Sequence, residues 1–102
     1  MKPSIGRIVH YTLSEQDAEA INKRRSDFQK HLKSEGYGDT GYIAHYGNDA
    51  RAGDVYPALI VRVWDGDLVN LSVQLDGTDT YWATSRHEGV GLHNHWVWPP
   101  RA

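Results

Sequence analysis

The chain has no cysteine. Disulfide cross-links, thiol catalysis and thiolate metal sites are excluded with it, so packing and hydrogen bonds alone must hold the fold. No apolar run approaches the roughly 18–20 residues that a membrane-spanning helix needs. The opening stretch, MKPSIGRIVHY, carries neither a long apolar segment nor a cleavage pattern. It does not read as a signal peptide, and a reducing cytoplasm is the expected setting. A basic excess is missing as well. Eleven Lys and Arg face thirteen Asp and Glu, a formal net charge of −2, which argues against general nucleic-acid binding. Also absent are the G-x-S-x-G elbow, the Walker A loop, the H-E-x-x-H pair and the dinucleotide-binding glycine fingerprint. The carboxylates of AGDVYP and DGTDT are accounted for by turn geometry. A non-enzymatic protein without a cofactor is expected, the alternative being a metal-dependent hydrolase that uses His93 and His95.

What the chain has instead is aromatic mass. Four Trp and six Tyr stand beside a single Phe. A buried aromatic contributes roughly 150–250 Å² of contact, so a few of them anchor a small core. The length, 102 residues, suits one domain over 1–102. IGRIVHY (5–11) is β-branched and aromatic and reads as a strand. Ser14 is a good N-cap for the helix that follows, with Glu15 and Asp17 in its first turn, where the dipole favours negative charge. Ala18, Ile21, Phe28 and Leu32 are spaced to share one face. Lys30 and Lys33 complement the far end, and Ser34, Gly36 and Gly38 stop it.

The Gly-, Asp- and Asn-rich middle reads as loops around a short extended piece from Tyr42 to Tyr46. Four strand-like runs follow: ALIVRVW (58–64), LVNLSVQL (68–75), TDTYWATS (78–85) and HNHWVW (93–98). Asp-Gly steps at Asp65-Gly66 and Asp76-Gly77 separate the first three, a hairpin signal. Strand, helix, then a meander of strands predicts a mainly β fold with one inserted helix, a small SH3-like barrel. An α+β antiparallel open sheet with one helix is the alternative.

Six residues stand out as candidates for ligand binding. Arg24 and Arg25 lie in the mid-helix run Lys23-Arg24-Arg25, and arginine forks suit phosphate, carboxylate or an acidic partner. In ALIVRVW, alternation places Leu59, Val61 and Val63 in the core and Arg62 and Trp64, with Ile60, on the outer face. An outward Trp beside an Arg needs a cover: the helix, another subunit or a ligand. Tyr81 and Trp82 are adjacent and must point to opposite faces, and Arg86 and His87 follow at the strand end. In the closing strand His93, His95 and Val97 share one face, and Asn94, Trp96 and Trp98 the other. The tryptophans read as core-closing. His93 and His95, about 7 Å apart, are weak metal candidates that need a third ligand from His45, Asp54 or His10.

GRIVHYTLSEQDAEAINKRR, AGDVYPALIVRVW, LDGTDTYWATS and WVWPPR together resemble a group of small proteins encoded by tailed bacteriophages and prophages, many from actinobacteria. The resemblance implies a phage origin and residence in the host cytoplasm. Small phage accessory proteins often counter host defence, some by sequestering nucleotide immune signals as symmetric oligomers. By that analogy the chain is expected to be a homo-oligomeric sponge for a nucleotide-like anion, with Arg24, Arg25, Arg62, Trp64, Trp82 and Arg86 at the site. The competing expectation is an SH3-like protein- or nucleic-acid-interaction module, including a direct inhibitor of a host defence protein.

Overall fold

The computed structural model describes residues 2–34 and 49–100, with the backbone alone for 31–34. Among these residues run β1 (Ile8–Thr12), α1 (Glu15–Ser34), β2 (Val55–Asp65), β3 (Leu68–Gln74), β4 (Thr80–Arg86) and β5 (His95–Val97). The strands form one antiparallel sheet, in spatial order β4-β3-β2-β1-β5, curled into a half-barrel. The predicted mainly β fold with a helix after its first strand is what forms. Its curvature falls between the closed barrel and the open sheet. Beyond β4 the chain swings round to the opposite edge. There the Gly89 amide donates to the Trp96 carbonyl at 2.9 Å, and the Trp96 amide to the His87 carbonyl at 3.1 Å. A Cβ on residue 89 would lie 2.7 Å from the His95 ring, so any larger residue at this seam must displace that side chain.

The core follows from alternation along β3. Val69, Leu71 and Val73 point inward and are fully buried. Cross-strand partners extend the rows: Val9 and Ala58 lie beside Val73, and Ile60 and Ala83 beside Leu71. Ala18 and Ile21 of α1 join the same apolar cluster, so the helix lies against the inner face. Its start is fixed by a reciprocal cap. Ser14 Oγ accepts from the Asp17 amide at 3.1 Å, and the Ser14 amide donates to the Asp17 carboxylate at 3.0 Å.

Past Arg25 the helix leaves the core. Phe28, predicted on the buried face, is 41% exposed, and the inward position belongs to Arg25, which is 7% exposed. Its helical phase after Ala18 and Ile21 is that of the buried stripe, and an internal carboxylate makes the burial tolerable (below). The Leu32 side chain, the extended piece at Tyr42 to Tyr46 and the glycines after the helix lie outside the described residues.

Strand β2 corrects a second expectation. Ala58 and Ile60 are buried, while Leu59 is half-buried and Val61 is exposed. Register shifts between Ile60 and Arg62 and between Val63 and Asp65 each set two residues of β2 against one of β3. Such bulges reverse the phase of a strand. The first returns Val63 to the core side and leaves Arg62 outward, opposite Asn70.

Candidate functional site

The six predicted residues divide between the two faces of the sheet. Arg86 is on the inner one. Strand β4 carries a bulge between the pairs Ala83–Leu71 and Arg86–Val69, and within it Ser85 adopts a left-handed φ of 57°. The extra residue turns Arg86 inward, where simple alternation points it out. Its Nε donates to the Tyr11 hydroxyl at 2.8 Å and its Nη2 to the Asp17 carboxylate at 3.2 Å. Asp17 also accepts from Tyr11 (2.5 Å) and Tyr81 (3.0 Å). Burial pushes the Asp17 carboxyl up. The Ser14 amide, the two tyrosine hydroxyls and the Arg86 charge outweigh it and hold the group below its ordinary value. Burial, reinforced by the hydrogen bond to Asp17, pushes the Tyr11 hydroxyl well up. Asn94 Oδ1 accepts from the same hydroxyl at 3.0 Å. This network docks the helix start onto the sheet and leaves Arg86 committed to an internal carboxylate.

Arg24 and Arg25 are committed as well. Asp79, in the loop between β3 and β4, takes a bidentate pair from Arg25 (2.8 and 2.9 Å) and a third contact from Arg24 at 2.9 Å. The Arg25 hydrogen bond holds the Asp79 carboxyl below its usual range. These arginines are a clasp between helix and hairpin, beside a cleft of about 250 Å³ that Phe28 and Thr78 also line.

Arg62, Trp64 and Trp82 share the outer face. Asn70 is 5% exposed although it points outward from β3. Two donors converge on its Oδ1: the Trp64 indole N–H at 2.9 Å and the Ser85 amide at 2.8 Å. The indole is thereby fixed over β3, half exposed, and the Arg62 guanidinium lies 3.9 Å from its ring centroid. Trp82 pairs with Ser72, two residues further along β3, and is 65% exposed. Its neighbour Tyr81 packs against the core, so the two do face opposite ways. Asn70 is the residue that sequence reasoning missed. It reads as one of the solvent-facing polar positions of an alternating strand, and nothing in the sequence reveals the bulge that brings Ser85 to it. Asn70→Leu is expected to destabilise the fold by about 1–3 kcal/mol through the lost acceptor. It should also loosen Trp64. Urea unfolding and acrylamide quenching of Trp64 fluorescence, against a Trp64→Phe control, measure the two effects.

The closing histidines do not form the expected face. Asn94 has a left-handed φ of 68°, which breaks alternation, and the strand begins only at His95. Among the described residues no three His, Asp or Glu side chains are grouped to share a metal ion, and His45 lies outside those residues. His87 pairs with Asp67 at 2.7 Å and so ties the post-β4 loop to the β2–β3 turn. A cleft of about 590 Å³ has Asp49, Asp54 and Asp76 around Arg51, a lining of the wrong sign for an anion. No helix among the described residues is long and apolar enough to cross a membrane. Comparison with protein-family models, curated proteins and solved structures finds no match to this chain.

Proposed function

We propose that this protein is a non-catalytic binding module that takes a nucleotide-like planar anion at the Arg62–Trp64 pair. The observation that carries the reading is the state of Arg62. Arg24, Arg25 and Arg86 are all paired with aspartates, whereas Arg62 makes no ion pair among the described residues and lies on an indole that is itself anchored. A guanidinium stacked on a ring keeps its N–H edges available for phosphate or carboxylate, and its fixed orientation lowers the entropy lost on binding. The resemblance to small phage proteins supplies a setting: an anti-defence protein in the host cytoplasm that sequesters a nucleotide signal without altering it. The test is to mix the purified protein with cyclic di- and trinucleotides and ADP-ribose derivatives and follow free nucleotide by chromatography before and after heat denaturation. Depletion with intact recovery, abolished by Arg62→Gln, is expected. Depletion with an altered product identifies an enzyme instead, and no depletion overturns the reading.

A second reading rests on a different observation. Ile8, Val61 and Trp82 are 50, 40 and 65% exposed, a large apolar content for the outward positions of a sheet. Apolar surface with Trp and Arg is the composition of protein-docking sites. A stoichiometric host protein held by the native chain and released by Trp82→Glu, with no nucleotide depleted, would favour that reading.

A further inference from the structure

We infer that the site extends from Arg62–Trp64 to Trp82 and takes two ring systems joined through a phosphodiester, the class of a dinucleotide, in preference to a single nucleotide. The inference rests on the function proposed above. Its starting point is the register of the outer face. Arg62 pairs with Asn70 and Trp82 with Ser72, so the guanidinium and the second indole flank adjacent outward residues of one strand, while Trp64 stands in the bulge beyond Val63. Along β3 that offset is about 7 Å, and β2 and β4 are separated by two strand spacings, about 10 Å. The Trp64 indole shortens the gap, because its N–H reaches Asn70 on the intervening strand. Between the platforms lie the half-buried Ser72 and Thr84. Both indoles are at least half exposed.

Charge favours the same ligand class. One guanidinium that makes no ion pair among the described residues suits a phosphodiester, which carries one negative charge, better than a terminal phosphate with nearly two. The chain's net charge of −2 also opposes a more highly charged ligand. A base stacked on an aromatic side chain binds without sequence preference, so two platforms select for two rings rather than for particular bases. The guanidinium plane over Trp64 is itself a stacking surface for a base.

The test compares adenylyl-adenosine, which has two rings and one phosphodiester, with AMP, which has one ring and more charge. Binding of each to the full chain is followed by calorimetry. A site reading charge alone prefers AMP. The structure predicts about tenfold tighter binding of adenylyl-adenosine, with Trp82→Leu reducing it to the AMP level while AMP binding stays unchanged. Trp82 is exposed, and an unaltered melting temperature establishes that this variant folds. Equal affinity for the two compounds, or a Trp82→Leu variant that binds both as the native chain does, overturns the two-platform site and leaves the Arg62–Trp64 reading standing. If neither compound nor any member of the nucleotide panel binds, both fall. A host protein released by Trp82→Glu in that case assigns the face to protein docking.

Discussion

Asp17→Ala is expected to cost about 3–5 kcal/mol of stability, the range seen when one partner of a buried ion pair is removed. Total stability of a domain is about 5–15 kcal/mol, so a sizeable unfolded fraction should appear in urea unfolding followed by circular dichroism. The size follows from how many groups Asp17 serves. It is buried, and Tyr11, Tyr81, Arg86 and the Ser14 amide all donate to it. Its loss leaves the Arg86 guanidinium without its carboxylate and the Tyr11 hydroxyl with Asn94 Oδ1 alone as acceptor. Adding Arg86→Leu should recover part of the loss, because removing both charges is milder than stranding one. A double variant no more stable than Asp17→Ala would show that the cap to Ser14, rather than the charge pair, is what matters.

The same residue sets a pH dependence. The folded Asp17 carboxyl lies below the ordinary aspartate value of about 3.9, so its stabilisation is fully present above that pH and lost as pH falls through the folded value. Asp79 and Asp67 are also depressed, by the Arg25 and His87 hydrogen bonds respectively, and share the acid slope. The difference between native and Asp17→Ala stabilities should therefore shrink on acidification below about pH 4, with the native chain the one that loses more.

Much of the fold was legible in the sequence. The alternation of LVNLSVQL placed the inner face of β3, Ser14 and Asp17 marked the helix start, and the Asp-Gly at Asp65-Gly66 marked the tight β2–β3 turn, where Gly66 has a φ of 56°. What misled was phase. Period-two reasoning holds along a strand only until a bulge inserts a residue. The bulge between Ile60 and Arg62 shifted the inward set of early β2 from Leu59 and Val61 to Ala58 and Ile60, and one in β4 carried Arg86 inward to Asp17. Bulges depend on local backbone geometry that composition does not encode; Ser85, a non-glycine residue at positive φ, gives no such signal. Of the six residues picked out in the sequence, three lie together on the outer face. Arg62 and Trp64 were read as outward and are outward; for Trp82 the sequence showed only that it faces away from Tyr81, and the structure makes it the outward one. Arg24 and Arg25 were read from charge density alone, and their carboxylate, Asp79, lies more than fifty residues away in sequence.

The other large effect is expected at Trp96. Trp96→Ala should cost about 3–5 kcal/mol, as for other buried tryptophans cut to alanine. With a melting-temperature change of roughly 4–8 °C per kcal/mol for a domain near this size, the midpoint should fall by some 12 °C or more. The indole is fully buried, packs edge-on against Trp98 at a centroid separation of 5.3 Å, and donates from Nε1 to the Asp67 carbonyl at 3.0 Å. Its backbone pairs with Tyr11 on one side and bridges to His87 and Gly89 on the other. Strand β5 has three residues, too few to hold the seam by ladder hydrogen bonds alone, so the side chain must anchor it. Trp96→Phe keeps the apolar bulk but loses the N–H, and should cost less. The distinguishing readout is amide hydrogen exchange at Gly89 and Trp96. Both should lose protection in Trp96→Ala well beyond what the change in global stability produces, because the seam opens locally. Uniform loss across all strands would mean that Trp96 stabilises the whole core and the seam has no separate opening. In either case any affinity for the proposed ligand, per folded molecule, should match the native chain, since Arg62, Trp64 and Trp82 lie on the opposite face from this indole.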